Sequence, residues 1–284
     1  MLKTALCRTW LSSKTSFNTF GRRCFGHGNV SVDLQSDTGI ATVTLSEPPV
    51  NSLSGEFLTS ISKTMKELSA DSSVSGLLIT SKFHGKVFSA GLNILEMYNK
   101  SDSYLGEFWR SVQEWYIDTY NFPKPVVAAI NGHAPAGGCA FALMCDYRVL
   151  LDGKTIGLNE TQLGIAAPFF FTYLMSSTIG IRQAELALAN GTMFSSDQAL
   201  QANLVDEVVP LDLVIPNAMN QLQKMIKIPQ PAFSLSKGQF RGPNVKKLLG
   251  EREEDIATFV GLLQKPYVQK VLGKYLENLK NRKK

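Results

Sequence analysis

Between Pro125 and Cys145 nearly every residue is apolar, yet the middle of the run holds Asn131, Gly132, His133, Pro135, Gly137 and Gly138. A membrane-spanning helix does not gather so many breakers at its centre. The segment therefore reads as a buried strand from Pro125 to Ile130, a loop, and a short apolar helix from Gly138 to Met144. No transmembrane span is expected. A strand and a helix that are apolar on all sides must both be covered by further layers, so the chain needs a large core.

The flanking sequence supplies those layers. Val30–Leu34 and Ile40–Leu45 alternate as two strands around a Ser36-Asp37-Thr38-Gly39 turn. Phe57, Leu58, Ile61, Met65 and Leu68 fall on one helical face, with Ser54 placed to cap it. Leu77-Leu78-Ile79 is a short buried strand, Ser101 to Tyr120 a long helix carrying Trp109, Val112, Tyr116 and Tyr120, and Asp146 to Leu151 a further strand. This alternation predicts an α/β core. After Val209-Pro210 the strands stop. The remainder reads as helices with an apolar stripe at Phe259, Leu262, Leu263, Val271, Leu272, Tyr275, Leu276 and Leu279, which must be buried on the core or on a neighbouring subunit. The division expected is a leader over 1–28, a core over 29–209 and a helical region over 210–284.

The leader is read from charge. The first acidic residue is Asp33, and before it stand Lys3, Arg8, Lys14, Arg22 and Arg23 among Ser, Thr, Leu and Phe. That is the composition of an organelle transit peptide, with Arg23-Cys24-Phe25 as a plausible cleavage step. Without those five cations the 29 basic residues fall to 24, against 24 acidic ones. A neutral body carries no electrostatic footprint for nucleic acid. The tail Lys280–Lys284 reads as a solvated helix end, not as a Ser-Lys-Leu peroxisomal address. Four cysteines without a spacing ladder, and histidines isolated at His84 and His133 in the body, suggest neither disulfides nor a metal cluster.

Three segments could carry chemistry. Phe88-Ser89-Ala90-Gly91-Leu92-Asn93 and Ile130-Asn131-Gly132-His133-Ala134-Pro135-Ala136-Gly137-Gly138-Cys139 each follow a strand. Small residues at such turns let a ligand reach the main chain, and two turns side by side aim two amides at one oxygen. Either segment alone is weak evidence, since a lone Gly-Gly before a helix is more often a packing device, and neither has phosphate-loop spacing. The third segment is Ile156-Gly157-Leu158-Asn159-Glu160-Thr161-Gln162-Leu163-Gly164-Ile165. A carboxyl held among apolar and amide groups has its pKa raised, as a general base near neutral pH needs. A surface glutamate opening a helical turn fits the same residues. His133 reads as a loop filler, because no carboxylate is placed to orient it. Cys139 reads as a small buried residue at a tight helix start.

Taken in order, these segments resemble the crotonase (enoyl-CoA hydratase/isomerase) superfamily, from about Val30 to Val209. The likeness rests on Phe-Ser-Ala-Gly-Leu at 88–92, Ile-Asn-Gly with Gly-Gly-Cys at 130–139, Cys-Asp-Tyr-Arg at 145–148 and the Glu160 loop. Asn51-Ser52-Leu53-Ser54 and Ala134–Cys139 are similar to its isomerase branch. The resemblance implies a ββα-spiral core and a homotrimer assembled largely through the C-terminal helices. It implies an acyl-CoA substrate, bent near Ala90, Gly91, Leu92, Asn93 and Ile94, with the amides of Leu92 and Gly137 as oxyanion donors. Glu160 would be the acid/base, with Asn159 beside it, and no cofactor would be needed beyond the CoA of the substrate. Family hydratases carry a first glutamate directly after Gly-Gly-Cys; here that position is Ala140. One base without a second anchor for water implies a shift of the 3-ene bond to the trans-2 position, in β-oxidation of unsaturated fatty acids in the mitochondrial matrix. The turn ends in Asn93 where the family more often has Asp. The alternatives are a hydratase or thioesterase on the same scaffold, and a non-catalytic RNA-binding or structural homologue.

Overall fold

The computed structural model describes residues 22–281. In chain order its strands are β1 (Arg22–His27), β2 (Val30–Gln35), β3 (Ile40–Leu45), β4 (Ser52–Leu53), β5 (Gly76–Ser81), β6 (Gly91–Leu92), β7 (Val126–Ile130), β8 (Ala134–Pro135), β9 (Tyr147–Leu151), β10 (Thr155–Gly157), β11 (Phe194–Ser195) and β12 (Glu207–Val209). Its α-helices are α1 (Gly55–Ala70), α2 (Asp102–Tyr120), α3 (Gly137–Met144), α4 (Phe169–Ile179), α5 (Ile181–Asn190), α6 (Ser196–Gln201), α7 (Leu211–Met225), α8 (Gln230–Gly250), α9 (Arg252–Leu263) and α10 (Pro266–Asn281).

Seven strands form the main sheet in the order β1-β2-β3-β5-β7-β9-β12. The first three are antiparallel, and those from β3 to β12 run parallel. The central strands are apolar throughout because both faces are covered. On β5, Leu77 and Ile79 face the main core with α1 and α2, while Leu78 faces Val214, Ala218 and Leu222 of α7. Ser54 caps α1 by accepting the Phe57 N–H at 3.2 Å, and Ser101 caps α2 by accepting the Tyr104 N–H at 3.3 Å. The expected strands, the two early helices and the helical region after Pro210 are thus present.

Two features differ from the sequence reading. An additional strand, β1, pairs along β2 from Arg22↔Gln35 to His27↔Val30. It lies within the segment that composition sets apart as a leader, and the Arg23-Cys24-Phe25 step falls inside it; the rest of that segment, 1–21, lies outside the described residues. The sequence reading also leaves helices α4 to α6 unassigned, although Ser195 and Gln198 form a capping box at the start of α6. In Phe169–Ile179 the exposed positions are short hydroxyl residues such as Thr172 and Ser177 and no charged residue marks an outer face, so the helical stripe is weak. Among the described residues no helix is long and apolar enough to cross a membrane.

The two small sheets position the site. Strand β4 pairs with β6 in parallel, and β10 lies between β8 and β11. They hold the three chemistry-bearing segments against one another at the edge of the main core.

Candidate active site

The first glycine turn is fixed from beneath by buried polar side chains. Asn51 is fully buried and donates through Nδ2 to the Phe88 carbonyl and to Ser81 Oγ, both at 2.8 Å. Ser89, also fully buried, donates to the Asn51 carbonyl at 2.7 Å and accepts the Gly91 N–H at 3.2 Å. Beyond the turn, the Asn93 N–H reaches the Leu53 carbonyl at 3.0 Å. Successive amides of an extended segment point to opposite sides, so with Asn93 committed to β4 the Leu92 N–H faces the other way. Asn93 accepts the Leu95 N–H at 3.1 Å and caps a short 3-10 turn over Ile94–Glu96. The side-chain oxygen is what the cap requires, so Asn does there what Asp would do.

The second turn meets the first from the opposite side. Its chain is tied to the first by the Phe88 N–H on the His133 carbonyl at 2.9 Å, and to β10 by the Ala136 N–H on the Gly157 carbonyl at 2.8 Å. Ala136 has φ 48° and ψ −123°, a conformation costly for a residue with a Cβ. It turns the chain abruptly into α3, whose first residue is Gly137. The N–H of a first helical residue has no acceptor within its helix. A Cβ built on Gly137 would lie 3.1 Å from the Leu92 nitrogen, and one built on Gly91 would lie 2.9 Å from the Gly137 nitrogen. Glycine at both positions is what lets the two amides share one small volume.

Strand β10 delivers the acid. Three residues after its end, Glu160 opens a 3-10 turn over Glu160–Leu163. As a residue Glu160 is half-buried, but its Oε2 is sealed from solvent and has no hydrogen-bond partner. Loss of water raises its pKa to about 7, against a small opposing pull from its own backbone amide. Glu160 lines a cavity of about 180 Å³ together with Ala90, Leu92, Ile94, Ala136 and Asn159. Among the described residues it is the only carboxylate in that lining. Of the expected site residues, Gly91, Asn93 and Gly137 do not line it: the two glycines pack against each other beside Leu92 and Ala136, and the Asn93 side chain is occupied by its cap.

The other titratable candidates are accounted for. His133 Nδ1 accepts the Thr155 N–H at 3.2 Å and pairs with Thr155 Oγ1 at 2.9 Å; burial and the nearby Lys154 lower its pKa. Cys139 is fully buried, and burial, aided by the neighbouring Glu160 charge, drives its pKa well above the usual thiol value. Neither group is a nucleophile in this setting.

The sequence profile described as enoyl-CoA hydratase/isomerase matches residues 35–283. The chain belongs to that family. Among curated relatives it is similar to mitochondrial enoyl-CoA delta isomerase 1 of Mus musculus, 44% identical over 93% of this chain and 91% of the relative. The Homo sapiens protein of the same name is 42% identical over 93% of this chain and 87% of its own. The crystal structure of human mitochondrial delta3-delta2-enoyl-CoA isomerase superposes with a TM-score of 0.89 at 41% identity, covering 90% of this chain and all of the other. The fold is crotonase-like.

Family hydratases would place a glutamate where this chain has Ala140, which is fully buried on α3. Sequence reasoning did not assign the cavity's walls. Trp109 of α2, Phe171 of α4 and Phe259 of α9 all line it, although they lie far apart in the chain. Trp109 and Phe259 stack at 3.7 Å with planes 11° apart. Both belong to apolar stripes visible in the sequence, but periodicity tells only that such residues are buried, not which of them meet. Asn51 and Ser89 also went unassigned as supports. Their signal was a polar residue inside an otherwise buried loop.

Proposed function

We propose that this enzyme moves the double bond of cis- or trans-3-enoyl-CoA to give trans-2-enoyl-CoA, in the β-oxidation of unsaturated fatty acids. The observation that carries the reading is the carboxylate of Glu160, its Oε2 sealed from solvent, in one cavity with Leu92 and Ala136, while the Gly137 backbone lies directly against the Leu92 amide. The thioester carbonyl accepts from both N–H groups. Glu160 removes a proton from C2, and the electron pair left behind delocalises through the double bond and the carbonyl as a dienolate. The amides hold the negative oxygen, each worth roughly 3–4 kcal/mol at the barrier. Protonated Glu160 then returns the proton to C4, and the new double bond lies between C2 and C3. The proton never leaves the pair, and an Oε2 sealed from solvent favours this outcome over hydration. The proposed chemistry uses no metal or redox group, and CoA enters as part of the substrate.

Glu160→Gln removes the base and retains the shape. With 3-hexenoyl-CoA, followed by absorbance of the conjugated product, we expect its turnover to fall by about 10²–10⁴. A folded variant with near wild-type turnover overturns the assignment.

Hydration is the second reading, and the buried methyl of Ala140 argues against it, because water would have one carboxylate anchor in place of two. Rapid hydration of 2-enoyl-CoA would favour it. For location, the mitochondrial names of the relatives and the acid-free basic N-terminal stretch support the mitochondrial matrix. For assembly, Leu235 and Phe240 of α8 are 70% and 77% exposed, which supports burial between subunits of a homotrimer. Organelle fractionation and sedimentation equilibrium test these two points.

A further inference from the structure

We infer that the stacked rings of Trp109 and Phe259 close the acyl end of the active-site cavity and set the length of chain this enzyme accepts, with Phe259 as the removable half of the barrier. The inference rests on the isomerase reading above.

Glu160 and the amide pair fix where C1 to C4 of the substrate lie. The CoA arm is polar and must leave toward solvent. The remaining carbons are apolar and go to the apolar wall, where Trp109 and Phe259 are 3% and 6% exposed. Behind that wall lies a second cavity of about 260 Å³, between α9 and the segment leading into α4. Trp109, Ala166, Pro168 and Phe259 line both cavities, so the stack is the partition between them.

The two rings are held differently. The Trp109 indole donates to Asp255 Oδ2 at 2.7 Å, and the same oxygen accepts from Gln113 Nε2 at 2.7 Å. Phe170 packs on the indole at 6.0 Å between ring centroids. Trp109 is therefore pinned by a charge-assisted hydrogen bond and by packing. Phe259 carries no polar group, and its stacking on Trp109 is its one ring contact among the described residues. Truncating it joins the two cavities without disturbing the Asp255 anchor. A short acyl chain presses on the partition less than a long one, so the change falls mainly on the long chain, which gains a channel.

The test compares kcat/KM for 3-hexenoyl-CoA and 3-dodecenoyl-CoA in wild type, Phe259→Ala and Phe259→Leu. The space behind the stack has an apolar side, Ala166, Ala167, Pro168, Phe169 and Leu262, facing the acidic Glu251, Glu254 and Asp255. Each methylene laid along the apolar side changes kcat/KM appreciably, so the long-to-short ratio should rise by about tenfold in Phe259→Ala and by less in Phe259→Leu. The leucine variant keeps most of the buried volume and guards against a folding defect. A wild type active on 3-hexenoyl-CoA, with the same ratio in a folded Phe259→Leu and Phe259→Ala, overturns the inference alone. A wild type inactive on both substrates removes the isomerase reading and this inference with it.

Discussion

The backbones of Gly91 and Gly137 approach so closely that a methyl group on the first would lie 2.9 Å from the nitrogen of the second. Gly91 also has φ +85°, which a side chain resists. The substitution Gly91→Ala should therefore push the two turns apart and misaim both amides. We expect kcat for 3-hexenoyl-CoA to fall by about 10²–10³, the cost of losing one donor or more. Steady-state kinetics alongside a thermal melt separate this from unfolding. Unchanged kcat in the folded variant means that the amide pair is not where the charge develops.

The acid/base carries its own pH signature. Glu160 must begin as a carboxylate, and burial holds its pKa near about 7. The rate constant kcat/KM should climb as pH rises through that value and level off above it. A profile that stays flat between about pH 5.5 and 8.5 is incompatible with this base. In Glu160→Gln the rising limb should disappear from whatever activity remains.

The sequence made the order of strand, helix and glycine turn legible because each has a local cause. Ser54 and Ser101 announce helix starts, alternation marks β2 and β3, and the breakers within 131–138 divide a strand from a helix. Glu160 stood out as a carboxylate in an apolar loop. The walls of the cavity were not legible, because Trp109, Phe171 and Phe259 meet only through the packing of α2, α4 and α9. The small strands β4, β6, β8, β10 and β11 escaped as well. They are two or three residues long, too short for a period, and they form because tertiary packing holds their backbones in register.

The same burial that activates Glu160 should weaken the fold. Its folded pKa of about 7 stands above its usual value of 4.5, so between those limits the folded state binds the proton more tightly than the unfolded state does. Stability from this group is present below pH 4.5 and is lost as pH rises through about 7. By pH 8 the loss is on the order of 3 kcal/mol. Glu160→Gln has no charge to desolvate, so it should melt at a higher temperature than wild type at about pH 8, with the gap shrinking toward about pH 5. Parallel scanning calorimetry at the two pH values checks this. A gap of the same size at both pH values would show that the glutamate is not held out of water.

Asp146 braces the core through α8. It takes Lys237 Nζ at 2.7 Å on one oxygen and Arg241 at 2.7 Å on the other, and also accepts the Val126 N–H at 2.8 Å. This carboxylate joins α8 to the start of β7 and to the end of α3. Both cations are buried with it, and burial, outweighing the attraction of Asp146, lowers the Lys237 pKa to about 8. In Asp146→Ala two positive charges would face each other in a dry site without their counterion, so we expect a loss of about 3–5 kcal/mol. Urea titration measures it. Lys237→Met, which removes one cation and leaves the Arg241–Asp146 pair intact, should cost less than Asp146→Ala. If the two variants cost the same, the carboxylate contributes no more than the ammonium it holds, and the carbonyls of Tyr120 and Met144, which also accept from Arg241, suffice to hold that cation.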